Sequence, residues 1–377
     1  MKRVLYVVSE DWAFVSHRLH IAKAATKLGY QIGVIARVTD KADQIEDLGV
    51  KMFGWELHRG SLNPFNAVRA ILRTLDVMFK FQPDIIHVIA LKPIMIVGFA
   101  AFFFKKVPIL FEFGGVGFVF TAKSAKISLL KILLCFLLRF LLKGKRKHII
   151  VQNKDDKNLL EAAKLFSPEK VFLVPGAGVE RDLYQPIKIP EWSGSSPPIV
   201  ALPARLLWDK GVGEFIRLAA SAKKRGFKAR FVLLGEPDME NHEAVSRSDI
   251  IKWVESGVVE WWGSRKDMPS IYPKVSIVCF PSYREGIPKA LLETASCARP
   301  IVCFDVPGCR DVVEHQINGF LVPFGNETEL LNRVCQLLSD YELTTRMGIA
   351  GSEITTIKFD SGIIARQVTN IWDRVST

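Results

Sequence analysis

Pro281-Ser-Tyr-Arg-Glu-Gly-Ile-Pro-Lys-Ala-Leu-Leu-Glu293 sets two carboxylates, Glu285 and Glu293, on either side of a Gly-Ile-Pro turn. Proline suits the first helical position, where its missing N–H costs nothing, so the pattern predicts a helix opening at Pro288. Backbone N–H groups around Gly286, Ile287 and Lys289 would then point out of a helix N-terminus, a ready site for a phosphate. Glu285 precedes that helix and Glu293 lies over a turn inside it. Both can reach one ligand that is anionic at one point and hydroxylated at others, a description that fits a nucleotide sugar. Two glutamates near a helix start also favour the macrodipole, so the stretch needs support from elsewhere.

That support comes from Ala204-Arg-Leu-Leu-Trp-Asp-Lys-Gly211, which follows the apolar run Ile199 to Pro203. The run reads as a buried strand, and Arg205 and Lys210 emerge at its C-terminal end, where open α/β sheets bind ligands. Arginine offers a planar fork to phosphate oxygens and lysine a point charge. With Arg205, Lys210, Glu285 and Glu293 in view, the chain resembles the GT-B glycosyltransferases, specifically the large retaining family 4, along nearly its whole length. The Arg-x4-Lys-Gly pair about eighty residues before Glu-x7-Glu is far more specific than either element alone.

The resemblance implies an α/β protein of two Rossmann-like domains facing across a cleft. It implies transfer of a sugar, with retention, from a nucleotide-diphosphate donor of the UDP type to a lipid-linked or saccharide acceptor, in bacterial surface polysaccharide assembly. Arg205, Lys210 and the helix N-terminus would neutralise the diphosphate, Glu285 would hold the far side of the donor sugar, and Glu293 the ribose. Gly115, in Gly114-Gly-Val-Gly117, would approach the diphosphate, and Gly235 and Gly263 would flank the base. Gly308-Cys-Arg-Asp311 and Asn318-Gly-Phe320 match loops after the next strand. Asp11-Trp-Ala-Phe-Val-Ser-His-Arg18 resembles the opening of relatives that build bacterial surface polysaccharides, which puts His17 and Arg18 on the acceptor side. The chain departs from many members at Ile109-Leu-Phe-Glu-Phe113, where they carry a histidine and this sequence offers only Glu112; alternation does not decide which way Glu112 faces. His87, at the end of its strand, is more readily a hydrogen-bonded structural residue than a catalytic one.

Composition agrees with an enzyme of this size. The 377 residues are 49% hydrophobic and 24% charged, which marks a globular chain of two to three domains' length. Six cysteines lack Cys-x2-Cys spacing and sit mostly in apolar runs, so they read as reduced core residues, against zinc or disulfides. Met1-Lys-Arg leads directly into a strand pattern, which predicts no signal peptide and a cytoplasmic protein. No Asp-x-Asp occurs, and Asp155-Asp156 reads as a helix start, so no metal or other cofactor is expected.

Strand patterns at Val4 to Ser9, Gln31 to Ala36, Ile85 to Ile89, Ile109 to Phe113 and His148 to Gln152 alternate with helices, and five more follow from Ile199. Alternation of this kind predicts parallel sheets with right-handed crossovers. The expected division is a first domain over 1–185, a Pro-rich linker over 186–198, a nucleotide-sugar domain over 199–357, and a segment 358–377 whose helix crosses back to the first domain.

The net charge of +12 is uneven. Residues 1–185 hold 28 Lys and Arg against 16 Asp and Glu, and residues 186–377 hold 23 of each. Ile127 to Leu142 has 13 hydrophobic residues among 16 and ends in Lys143-Gly-Lys-Arg-Lys-His148. It is shorter than the roughly 20 residues that span a bilayer. Lys131, Arg139, Lys143 and Lys147 would form one basic stripe on a helix, so the run predicts docking on an anionic membrane surface at the inner face of the cell membrane. A buried core helix followed by a solvated basic loop is the competing reading. Two other functions are open: a GT-B nucleotide-sugar epimerase, and a basic nucleic-acid-binding protein. The second is disfavoured because the phosphate motifs lie in the neutral half.

Overall fold

The structure, a computed structural model, describes residues 1–57, 63–115, 125–163, 166–192 and 196–376, with the backbone alone over 125–133. Val116, Gly117 and Phe118 of the glycine loop, and the Lys131 side chain, lie outside the described residues. The chain forms two compact units, Met1–Ala177 with Ser361–Thr377, and Gly178–Asp360.

The first unit is a seven-stranded sheet of β1 (Arg3–Glu10), β2 (Gln31–Arg37), β3 (Lys51–Gly54), β4 (Ile85–Ile89), β5 (Ile109–Phe113), β6 (Lys147–Val151) and β7 (Val171–Leu173). Its order is β3-β2-β1-β4-β5-β6-β7, with every pair parallel. Helices cover both faces, so the central strands are apolar on both sides, as parallel sheets require. Leu5, Val7, Ile86 and Phe111 face one core, and Val4, Tyr6, Ile85 and Leu110 the other. The second core is closed by the helix Ser361–Ser376, whose Trp372 packs edge-on against Tyr6 and Tyr30.

The second unit is a six-stranded parallel sheet of β8 (Ile199–Pro203), β9 (Arg230–Leu234), β10 (Glu260–Trp261), β11 (Ile277–Phe280), β12 (Ile301–Phe304) and β13 (Gly319–Val322). Its order is β10-β9-β8-β11-β12-β13, which reverses direction between β8 and β11. Two doubly wound parallel α/β units are the architecture the alternation predicts.

Several local expectations need correction. The chain leaves the first unit at Ala177, and the proline-rich stretch after 186 belongs to the second. Buried Arg299 explains this: it donates to Ile187 O, Tyr272 O, Pro273 O and Cys297 O, which ties the stretch down, while Tyr341 Oη donates to Ile189 O. Asn318-Gly-Phe320 runs from a turn into β13, and Phe320 is core. The helix Ala125–Leu142 is part of the first unit's packing, for Leu138 and Leu142 are buried in its core. It stops at Leu142, and Lys147 opens β6 with its ammonium turned back to Leu141 O, so Lys147 is not part of a helical stripe.

Candidate active site

Parallel strands bring their C-terminal ends to one edge, so the loops after β8, β9, β11 and β12 meet there, with the switch point between β8 and β11. Close backbone contacts lock these loops together. Gly211 sits at φ +75°, and a Cβ there would lie 2.0 Å from Pro281 O. Gly308 sits at φ +81°, where a Cβ would lie 2.1 Å from Gly286 O. Only glycine meets both demands, a left-handed backbone and no side chain. Tyr283 N donates to Asp209 O at 2.9 Å and Glu285 N to Pro307 O at 3.2 Å, completing the seam.

Lys210 and Glu285 meet at this edge. Lys210 Nζ donates to Glu285 Oε1 at 2.7 Å, and Ser282 Oγ donates to the same oxygen at 2.8 Å. Both charged side chains are mostly shielded, at 15% and 14% exposure. The helix Lys289–Ser296 begins one residue later than expected, with Pro288 in extended conformation at its N-cap. A cap keeps the proline's fixed φ and still loses no hydrogen bond.

Glu293, inside that helix, is buried. It accepts from Tyr272 Oη at 3.1 Å, and Lys289 Nζ stands 3.5 Å away. Burial pushes its carboxyl above the ordinary range against the pull of Lys289, Tyr184 and Tyr272. A ligand hydroxyl donating to it would favour the ionised form.

Arg205 follows β8 as expected but is turned to Asp238 Oδ2 at 2.7 Å, on the loop after β9. Gly235 follows β9, its carbonyl accepting from Trp261 Nε1 at 2.8 Å. Gly263 follows Trp261 and Trp262 at φ +69°, beside Glu236. Gly286 and Ile287 lie between Glu285 and the helix, with Ile287 buried. The second unit therefore gathers Lys210, Glu285, Gly286 and Ile287 in one cluster. Ser282, though inside the stretch 281–293, and Asp238 are given no role by the sequence pattern.

The remaining candidates are in the first unit. His17 lies on the helix Asp11–Lys27, with Nδ1 3.2 Å from Ala13 O. Gly115 follows β5, exposed, at φ +133°. Arg18 does not present itself to an acceptor: it is buried and paired with Glu112. Glu112 faces the core, where it also meets His87 Nε2 and Gln152 Nε2, each at 3.1 Å. Trp372 Nε1 donates to His87 Nδ1 at 3.3 Å, which leaves the proton on Nε2 to be donated to Glu112. Burial alone would raise the Glu112 carboxyl, but Arg18 beside it, with His87 and Gln152, holds it down to about 2. Alternation along β5 and β6 does place Leu110, Glu112, Ile150 and Gln152 on one face; a cation on a helix 94 residues away is invisible to it.

Matching sequences agree with this geometry. Residues 3–153 match the family described as glycosyl transferase 4-like, and residues 197–340 match glycosyl transferases group 1. The chain thus belongs to the glycosyltransferases, with a 4-like first domain and a group 1 second domain on a GT-B fold. Among relatives, N,N'-diacetylbacillosaminyl-diphospho-undecaprenol alpha-1,3-N-acetylgalactosaminyltransferase of Campylobacter jejuni is 27% identical over 98% of both chains. The putative glycosyltransferase EpsD of Bacillus subtilis is 23% identical over 98% of this chain and 96% of its own. In fold, the chain is similar to sucrose-phosphate synthase of Thermosynechococcus elongatus (TM-score 0.80, 17% identity, 99% of each chain). It is likewise similar to HepE of Anabaena in complex with UDP (TM-score 0.75, 17% identity, 99% of this chain and 100% of that one).

Proposed function

We propose that the protein is a retaining hexosyltransferase of family 4 that moves a sugar from a UDP-sugar to a lipid-linked acceptor on an anionic membrane. The observation that carries this reading is the Lys210–Ser282–Glu285 cluster at the sheet's switch point, one loop from the helix that holds Glu293. The relatives supply its direction: the C. jejuni enzyme's name specifies a diphospho-undecaprenol acceptor, and HepE was crystallised with UDP. They favour transfer over an epimerase or a nucleic-acid-binding role. No helix among the described residues is long and apolar enough to cross a membrane. Contact with lipid would be peripheral, at the inner face.

In this reading Lys210 and Arg205, with the N–H groups of Gly286 and Ile287, neutralise the diphosphate as its bond to the sugar breaks. Glu285 fixes Lys210 and meets the donor sugar, and Glu293 takes the ribose hydroxyls. The acceptor attacks from the face the diphosphate leaves, so the departing diphosphate oxygen takes the acceptor's hydroxyl proton and no strong base is required; His17 stands on the acceptor side. Gly235 and Gly263 border the base. These cations take the place of a divalent metal.

The test is release of the nucleoside diphosphate from a panel of UDP, GDP and ADP sugars with detergent-solubilised membrane extract, with and without EDTA. Turnover with one UDP-sugar, unchanged by EDTA and giving an axial product linkage from an axial donor, is expected. An inverted product, or a requirement for Mg²⁺ or Mn²⁺, would overturn the mechanism.

A further inference from the structure

The helix Pro64–Phe81 buries Ala70, Thr74, Val77, Met78 and Phe81 against the sheet. It carries a second apolar stripe on its outer side. Phe65, Val68, Leu72 and Phe79 are all exposed, Phe65 to 76%. Their spacings of three, four and seven residues put them on one face. The apolar surface continues past the helix. The Phe79 ring lies 4.8 Å from that of Phe104, and the Phe102 ring 5.5 Å from that of Phe140 on the helix Ala125–Leu142. Phe103 and Phe136 stand beside them, 70% and 72% exposed. Three elements distant in sequence thus share one aromatic outer surface, an arrangement a monomeric soluble protein seldom leaves uncovered.

Charge selects what covers it. Residues 85–154 hold twelve Lys and Arg and a single carboxylate, Glu112, which is buried on Arg18. That segment alone accounts for +11 of the chain's +12. Lys105, Lys145, Arg146 and Lys147 line a cavity of about 380 Å³ together with Phe102 and Phe104. Lys147 Nζ lies 5.5 Å from the centre of the Phe102 ring. Cations set among protruding phenylalanines suit an amphiphile with an anionic head. A second copy of the chain is a poor occupant, because a two-fold contact would set the same positive rims against each other.

We propose that this surface inserts into an anionic phospholipid leaflet. The outer stripe of the helix Pro64–Phe81, the Phe102–Phe104 turn and the exposed rings of Phe136 and Phe140 enter the acyl boundary, while Lys105, Lys145 and Arg146 hold lipid phosphates. The proposal rests on the reading that the enzyme works at a membrane. It adds the helix Pro64–Phe81, which lies outside the basic segment, as half of the contact.

The experiment is co-sedimentation of the full chain with phosphatidylcholine vesicles, with and without phosphatidylglycerol, at low and high salt. One variant combines Phe65→Ser, Val68→Ser and Leu72→Ser; another combines Lys105→Glu, Lys145→Glu and Arg146→Glu. Wild-type protein should bind only vesicles containing phosphatidylglycerol and release them at high salt. A basic side chain near an anionic surface contributes about 1 kcal/mol, or about fivefold, so the charge variant, which also adds three repelled carboxylates, should bind at least about a hundredfold more weakly. The serine variant should lose about tenfold or more, and Ile357→Ser, an exposed apolar residue of the other unit, should change nothing.

In detergent with solubilised acceptor both triple variants should transfer sugar at the wild-type rate, which establishes that they are folded. Wild-type vesicle affinity in the serine variant would overturn the proposal. So would a dimer by light scattering that this variant abolishes. Vesicle binding by a wild-type protein that transfers no sugar would instead strike the proposed chemistry and leave this surface standing.

Discussion

Arg18–Glu112 in the first unit and Lys210–Glu285 in the second are both cation–carboxylate pairs near the C-terminal ends of parallel strands. Their surroundings differ. Arg18 and Glu112 are 4% and 3% exposed, and Glu112 is further satisfied by His87 and Gln152, with Trp372 behind His87. Lys210 and Glu285 keep several times that exposure and are held by glycine-spaced loops rather than by a core. The first pair is sealed and cannot meet a ligand; the second can exchange its mutual contact for a substrate's. Burial separates a structural pair from a candidate catalytic one, since the chemistry of the groups is nearly the same.

Removing one partner from each pair breaks the comparison most directly. Glu112→Ala leaves Arg18 buried without its counter-charge, which costs about 3–5 kcal/mol of stability. The check is the denaturant midpoint of the first unit's transition, and an unshifted midpoint would contradict the sealed pair. Lys210→Ala should leave that midpoint alone and lower turnover by about a hundredfold to a thousandfold, the loss expected for one transition-state donor. Arg205→Ala should cost less, about tenfold to a hundredfold, because its guanidinium is exposed and shared with Asp238. Equal losses from the two changes would mean that Arg205 turns inward when donor binds.

The smallest effect is an acid sensitivity confined to the sealed pair's neighbourhood. Burial holds the His87 imidazole below its ordinary value, outweighing the pull of Glu112. The unfolded chain therefore binds a proton that the folded chain refuses as pH falls below about 6.5. Stability from His87 is complete above that pH and drains below it by at most about 1.4 kcal/mol per pH unit. Glu112, held to about 2, stays ionised throughout this window. His87→Gln should flatten the fall in midpoint between neutral and mildly acidic pH, with half-buried His148 supplying the residual slope. An unchanged slope would mean that His87 is solvated.

Within the sequence, periodicity and glycine placement carried most of the fold. Ile85–Ile89, Ile109–Phe113, Ile199–Pro203 and Ile277–Phe280 are strands over the spans their apolar runs define, because a strand buried on both faces must be apolar throughout. The short edge strands Lys51–Gly54, Val171–Leu173 and Gly319–Val322 gave no such signal, being half exposed or only three or four residues long. Lys210 and Glu285 were legible as residues of one sheet edge, for both follow strands that a parallel sheet must align there, but their pairing with each other was not.

Tertiary structure alone decided what depends on burial and on distant neighbours. It turned Arg18 inward onto Glu112, set Arg205 against Asp238, and drew the proline-rich stretch after 186 under Arg299. It also divided the helix Ala125–Leu142 between core and surface, so that Leu138 packs inward while Phe136 and Phe140 stay exposed, the Phe140 ring against that of Phe102. Periodicity reports which side of an element is apolar. Whether that side meets the protein's own core, a substrate or a membrane is set by the packing of other elements, which no local pattern encodes.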